Sequence, residues 1–117
     1  MKNRNYLASV YRAFIGIILA LKTEKNFLIH TLIAMTFTII NILVNVETIW
    51  YVFELMTFGM VLVSELLNTA IEKTCNTITE EYNTLIKEAK DIAAGAVLMS
   101  GFLFFIIEGI AIWRALM

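Results

Sequence analysis

Apolar positions gather in four stretches along the chain, and the polar residues that interrupt them mark where helices begin and end. Residues 26–46 carry no charge, and as a helix they would cover about 30 Å, the hydrocarbon thickness of a bilayer. Residues 48–64 are again apolar except for Glu54, and residues 92–113 except for Glu108. The pattern predicts three transmembrane helices, at about 26–46, 48–68 and 91–113. Upstream, Leu7, Val10, Phe14, Ile17, Ile18 and Leu21 recur at helical spacing, with Asn3, Arg4, Arg12 and Lys22 among or around them. This predicts an interfacial amphipathic helix over about 5–22. Its apolar stripe is broad, because Ile15 and Leu19 lie on another side, so part of it is expected to pack against protein. The second span continues past Asn68 into Lys73, a polar linker covers 76–83, and the last long helix starts at about Thr84. Within the linker, Thr77 with Glu80 three residues on is a capping signal, and Tyr82-Asn83 reads as a turn. Ala93-Ala94-Gly95-Ala96, at the entry to the last span, predicts close approach of another helix.

Composition agrees with a membrane protein. The 117 residues are 60% hydrophobic and include no proline, and the mean hydropathy is +0.79, which fits poorly with a soluble globule. There is no internal repeat or low-complexity segment, and a single all-α domain over 1–117 is expected. Net charge says nothing about partners, but its distribution orients the chain. Lys2, Arg4, Arg12, Lys22 and Lys25 precede the first span, and Lys73, Lys87 and Lys90 lie between the second and third. The 46–47 turn has no basic residue and the far end only Arg114. The positive-inside rule then puts the N-terminus and the 66–91 segment on the cytoplasmic side of the plasma membrane, with the 46–47 turn and the C-terminus outside. Trp50, Tyr51 and Trp113 fit an aromatic belt on that outer side. The apolar stretch 14–21 is short for a signal peptide, and Lys22-Thr23-Glu24-Lys25 offers no small-residue cleavage site. Cys75 is the one cysteine, so it has no intramolecular partner and reads as a reduced, structural thiol.

The chemistry concentrates where the second span meets water. At about 100° per residue, Glu65, Asn68 and Glu72 fall within about 60° of arc on one helical face. Glu65 follows Val61-Leu62-Val63-Ser64 at the hydrocarbon edge, where a carboxylate suits proton abstraction; the alternative is a boundary glutamate reaching the headgroups. Glu72 lies two turns nearer water, where phosphates could reach it. A hard cation such as Mg²⁺ is usually held by one or two carboxylates plus substrate phosphates, and the nearest second carboxylate is Glu24. The other reading is two solvated charges. Lys90 and Asp91 open the last span at the same boundary, either to neutralise and orient phosphate or as snorkelling charges at a helix end. Glu54 and Glu108 sit inside apolar stretches, where three readings stand: protonation, a cavity, or a position nearer the interface. His30 reads as a hydrogen-bonded packing residue, since no second histidine exists to share a metal. Phe102, Phe104 and Phe105 read as lipid-facing or packing residues. No Walker-type loop, kinase catalytic loop or Cys/His cluster is present, so any nucleotide chemistry is built differently.

Glu65-Leu66-Leu67-Asn68-Thr69-Ala70-Ile71-Glu72, then Glu81-Tyr82, then Ala89-Lys90-Asp91-Ile92-Ala93-Ala94-Gly95-Ala96-Val97 closely resemble the bacterial diacylglycerol kinase and undecaprenol kinase family. Ala13-Phe14-Ile15-Gly16 and Thr23-Glu24-Lys25-Asn26-Phe27 with His30 also look like that family, and the match runs roughly over 9–113. The resemblance implies an integral-membrane lipid kinase with three transmembrane helices and a surface helix. It also implies a domain-sharing homotrimer, with composite active sites completed by neighbouring subunits. By matching motif, Glu65 would be the general base that takes the lipid hydroxyl proton, supported by Asn68. Glu24 and Glu72 would hold the divalent cation and nucleotide, and Lys90 and Asp91 would contact ATP. Glu81, Tyr82 and Asn83 match the linker over the nucleotide, and Arg12 aligns with a position near it. The chain departs from the family pattern at Asn76, where aspartate is usual, at Asn83, where histidine is frequent, and at Lys73 and Cys75, commonly apolar. These changes bear on nucleotide-side contacts rather than the core chemistry.

The implied reaction is Mg²⁺-dependent transfer of the ATP γ-phosphoryl group to a membrane lipid alcohol, with no nucleic acid involved. Asn26, His30 and the Ala93–Ala96 run resemble the undecaprenol kinase branch of Gram-positive bacteria; diacylglycerol is the alternative acceptor. A reading from another class, a small proton-coupled transporter, calls for four spans and an acidic residue in the first, whereas 26–46 has no charge.

Overall fold

The computed structural model describes residues 5–79 and 81–117, and these form four helices: α1 (Tyr6–Thr23), α2 (Lys25–Val44), α3 (Thr48–Ile78) and α4 (Thr84–Leu116). Lys2, Asn3, Arg4 and Glu80 lie outside the described residues. The ends have identifiable causes. Asn5 caps α1 by accepting from Leu7 N and Ala8 N at 3.1 and 3.3 Å. Glu24 alone separates α1 from α2, in an extended conformation that lets the two helices diverge. Asn45 ends α2 in the left-handed region (φ 57°, ψ 56°), and Val46 N then returns to Asn41 O at 3.1 Å. Asparagine tolerates that conformation better than most residues.

The α3–α4 connection is shorter than the linker expected from sequence. α3 runs to Ile78, so Asn76, Thr77 and Ile78 are helical rather than linker. Thr74 and Thr77 do not cap; their hydroxyls bond back to Ala70 O and Thr74 O, both at 2.7 Å, as threonines inside helices do. Thr79 ends the helix and its hydroxyl accepts from Glu81 N at 3.0 Å. The cap of α4 is Asn83, which accepts from Leu85 N and Ile86 N. The expected start at Thr84 and the turn before it are therefore found.

α4 packs along α3 more extensively than any other pair, while α2 lies across both and α1 touches α2 and α3. The α3–α4 pair is antiparallel and pinned at three depths. Lys90 Nζ donates to Asn76 Oδ1 at 2.9 Å near the loop, the Ser64 and Ser100 hydroxyls are 2.8 Å apart midway, and Arg114 stands 3.8 Å from Glu47 at the far end. Ala34, Val61 and Phe104 form the apolar centre, with Phe37 edge-on to Phe104 at 5.6 Å. Phe104 is thus a packing residue, whereas Phe102 is exposed. Ala93 is buried and lies with Ala96 along α3, but a side chain added at Gly95 would meet open space. The small-residue run therefore does not make its tight helix contact within one chain.

All four helices are long and apolar enough to cross a membrane by length and composition, α1 included. In α1 only Ala20 is buried, and Ile15 and Leu19 are exposed along with Leu7, Val10, Phe14 and Leu21. The apolar surface is as broad as the sequence implies, but within one chain its expected packing against protein buries only Ala20. At 31 and 33 residues, α3 and α4 would be about 46 and 50 Å long, well beyond the apolar thickness, so their polar ends around the 79–83 loop project past it.

Candidate active site

Four residues of α3 at helical spacings of three and four, Glu65, Asn68, Thr69 and Glu72, define one face of the helix where it leaves the apolar layer. The first three are buried and Glu72 is exposed, so the face runs from the protein interior to its surface. Glu65 is 2% exposed. Asn26, one residue into α2, donates from Nδ2 to Glu65 Oε1 at 3.2 Å. His30, one turn further along α2, brings Nε2 to 3.4 Å from Oε2 without completing a hydrogen bond. Oε2 therefore has no hydrogen-bond partner among the described residues, and neither do Asn68 Oδ1 and Thr69 Oγ1 on the same face. Buried polar atoms are nearly always satisfied, and leaving one unpaired costs about 1–3 kcal/mol. Three along one stripe mark a site whose partners come from elsewhere.

Grooves flank this stripe. One of about 440 Å³ runs between α3 and α4, lined by Asn68, Leu67, Ile71, Ile92, Ala93 and Ala96 among others. A second, about 320 Å³, lies between α1 and α3 beside Thr69 and Lys73. A third, about 460 Å³ and almost wholly apolar, opens between His30 of α2 and Ala94, Val97, Leu98 and Phe102 of α4. His30 thus both lines an apolar groove and faces Glu65.

The residues expected to meet nucleotide share the loop-side end of the bundle, but they are not drawn into one cluster. Lys90 is half-buried and holds Asn76. Asp91 instead pairs with Lys87 at 2.7 Å, both well exposed, one helical turn apart; such a pair contributes about 0.3–0.5 kcal/mol. Asn83 is occupied as a helix cap, Glu81 and Tyr82 are exposed beside it, and Arg12 is exposed on α1. Glu24 sits at the α1–α2 junction, half-buried, and its side chain makes no capping bond. Among the described residues there is no group of three or more His, Cys, Asp or Glu able to hold a metal ion. Two carboxylates, Glu24 and Glu72, nonetheless match the donor set of a Mg²⁺ ion completed by water and substrate phosphates.

Sequence reasoning missed Thr69, although its spacing of four from Glu65 was signal enough. It also missed that Asn26 and His30 are the neighbours of Glu65, and no local pattern reports a contact across 39 positions. Asn41 was missed as well: it lies in the uncharged span, yet it joins Glu54 and Glu108 at the opposite end of the bundle.

The chain resembles known proteins over most of its length. The chain is 37% identical over 106 residues to a protein of Synechocystis named diacylglycerol kinase, covering 90% of this chain and 61% of that protein. It therefore spans about three fifths of that relative's length. It is 38% identical over 99 residues to the undecaprenol kinase of Bacillus subtilis, covering 81% of this chain and 80% of the relative. The sequence pattern of the prokaryotic diacylglycerol kinase family matches residues 11–112, a stretch that includes Arg12, Glu24, Glu65, Asn68, Glu72, Lys90 and Asp91, and the chain belongs to that family.

Proposed function

We propose that this protein is a membrane lipid kinase that moves the γ-phosphoryl group of ATP to the hydroxyl of a lipid alcohol at the cytoplasmic face of the plasma membrane. The observation that carries the reading is Glu65: a buried carboxylate with one oxygen held by Asn26 and the other open, at the loop-side end of the bundle that also carries Glu24, Glu72 and Lys90. The open oxygen accepts the proton of the acceptor hydroxyl. Asn26 keeps the carboxylate oriented, His30 stands beside its unpaired oxygen, and Asn68 supplies an amide to the same face. Lys90 faces the arriving triphosphate, and its partner Asn76 is neutral, so the ammonium keeps its full charge for phosphate. Glu24 and Glu72 would hold Mg²⁺, which supplies neutralisation of triphosphate charge when bound. Phosphoryl transfer depends on in-line positioning and charge neutralisation more than on covalent help.

In this reading α2, α3 and α4 cross the membrane, α1 lies at its surface, the N-terminus is cytoplasmic and the C-terminus is outside. The chain works as a homotrimer with shared sites. Undecaprenol is the proposed acceptor and diacylglycerol the second candidate; the two relatives are named for one each. Phosphorylation of both lipids, side by side in mixed micelles with Mg²⁺ and ATP, decides between them, and no label in either lipid would defeat the kinase assignment. General-base action is worth about 10²–10⁴ in rate, so Glu65→Gln is expected to lose turnover on that scale while still binding nucleotide. Substantial activity in that variant would remove Glu65 from the role.

A further inference from the structure

The end of the bundle opposite Glu65 holds a second buried polar group that the kinase chemistry does not use. Asn41 of α2 is 0% exposed and Glu108 of α4 is 1% exposed, and Glu54 of α3 is buried beside them. Asn41 Nδ2 donates to Glu108 Oε2 at 2.8 Å and also to Glu54 Oε2, while the Thr38 hydroxyl contacts Glu54 Oε1. Two atoms are left over: Asn41 Oδ1 and Glu108 Oε1 are both buried and have no hydrogen-bond partner among the described residues.

The leftover atoms belong to the amide and the carboxyl already joined through Nδ2 and Oε2. An ionised carboxylate only accepts, and so does the amide oxygen, whereas a protonated carboxyl also donates. A proton on Glu108 Oε1 would give both atoms a partner through a second bond beside the first, with amide N–H meeting carboxyl oxygen and carboxyl O–H meeting amide oxygen. Glu54 already receives the Asn41 amide on Oε2, and its Oε1 lies against the Thr38 hydroxyl, which also bonds back to Ala34 O at 2.9 Å. A metal ion does not explain the group equally well, because Asn41 already presents an N–H donor to each carboxyl, where a cation would need an oxygen. Two anions sharing one amide within an apolar span would also carry a heavy desolvation cost. We infer that Glu108 is a proton-binding site, a neutral carboxylic acid locked to Asn41 that latches α4 to α2.

The latch has structural weight. Among the described residues, Asn41–Glu108 is the one side-chain hydrogen bond joining α2 to α4. The other titratable groups on the packed elements are few. α2 offers only Lys25 and His30, at the other end; α3 brings Glu54 and Tyr51, and Arg114 of α4 faces Glu47 at the start of α3. Release of the proton to water would leave an anion beside Glu54 and an unpaired Asn41 oxygen, so that only the Nδ2–Oε2 bond still held α4 to α2 and the latch would weaken.

Glu108→Gln tests this directly, because its amide can both donate to Asn41 Oδ1 and accept from Nδ2. In detergent at neutral pH the variant is expected to melt at or above the wild-type temperature, and to lose the decline in melting temperature that wild type shows on alkalinisation. Glu108→Ala, lacking both bonds, is expected to melt lower at every pH. In wild type, difference infrared spectroscopy should find a protonated-carboxyl carbonyl stretch at neutral pH that Glu108→Gln lacks and that disappears as the melting temperature falls. The inference is overturned if Glu108→Gln fails to fold or melts as low as Glu108→Ala, or if the infrared band is absent. It is also overturned if Na⁺ or Mg²⁺, against choline at equal ionic strength, stabilises wild type but not Glu108→Gln, which would make the site a metal site.

Discussion

Asn26 donates the only side-chain hydrogen bond that Glu65 receives among the described residues, so the orientation of the proposed base rests on one amide. A hydrogen bond to a charged group contributes about 1.5–3 kcal/mol, and removing the donor leaves a buried carboxylate short of a partner. Asn26→Ala is therefore expected to lower the melting temperature and kcat together, with KM for ATP nearly unchanged because the nucleotide end is untouched. Steady-state kinetics beside thermal unfolding would check it, and a change confined to KM for ATP would refute this role. The face bearing Glu65, Asn68 and Glu72 is readable from sequence because helical spacing is local information. Its partners are not, because Asn26 and His30 approach from another helix. Glu54 and Glu108 show the same limit: protonation, a cavity and an interfacial position all suited the sequence until Asn41 was found between them.

The elements themselves were largely legible, since uncharged runs of membrane length leave little choice of secondary structure. The misreading of residues 76–78 came from treating polarity as a sign of linker. Beyond the membrane edge a helix needs no apolar residues, and α3 continues there, pinned to α4 through Asn76 and Lys90. What stops one helix and starts the next is hydrogen bonding: Thr79 closes α3 and Asn83 opens α4. Asn83→Ala removes two bonds to the first turn of α4, a loss of typically about 1 kcal/mol. The amides of Leu85 and Ile86 should then exchange hydrogen faster, while amides in the membrane half of α4 keep their protection. Because Lys90 and Asp91 lie on the next turns, KM for ATP should rise while KM for the lipid holds. Uniform deprotection of the whole helix would contradict an effect confined to its cap.

At the scale of the molecule, one chain does not close on itself. Its radius of gyration is 17.7 Å, against about 13 Å for a compact domain of this length, and it is only 23 Å thick along its shortest axis. Exposed apolar side chains lie on all four helices. Lipid can cover such a surface, but it cannot complete the unpaired polar atoms of Asn68 and Thr69. Glu24 lies at the α1–α2 junction and Glu72 on the exposed stretch of α3, and whether one copy or two supply them to a site is open to a direct test. Symmetric assembly makes this testable, because each copy then lends one carboxylate to a neighbour. Glu24→Gln and Glu72→Gln should each be inactive when purified alone. If unfolded together and refolded as a mixture, random assembly would join an intact Glu24 of one copy to an intact Glu72 of the next in about a quarter of sites. Recovery of roughly that fraction of wild-type turnover is the expected result. If both carboxylates of a site come from the same copy, no mixed assembly holds an intact pair and mixing restores nothing, so activity of the mixed sample alone distinguishes a shared site from a private one.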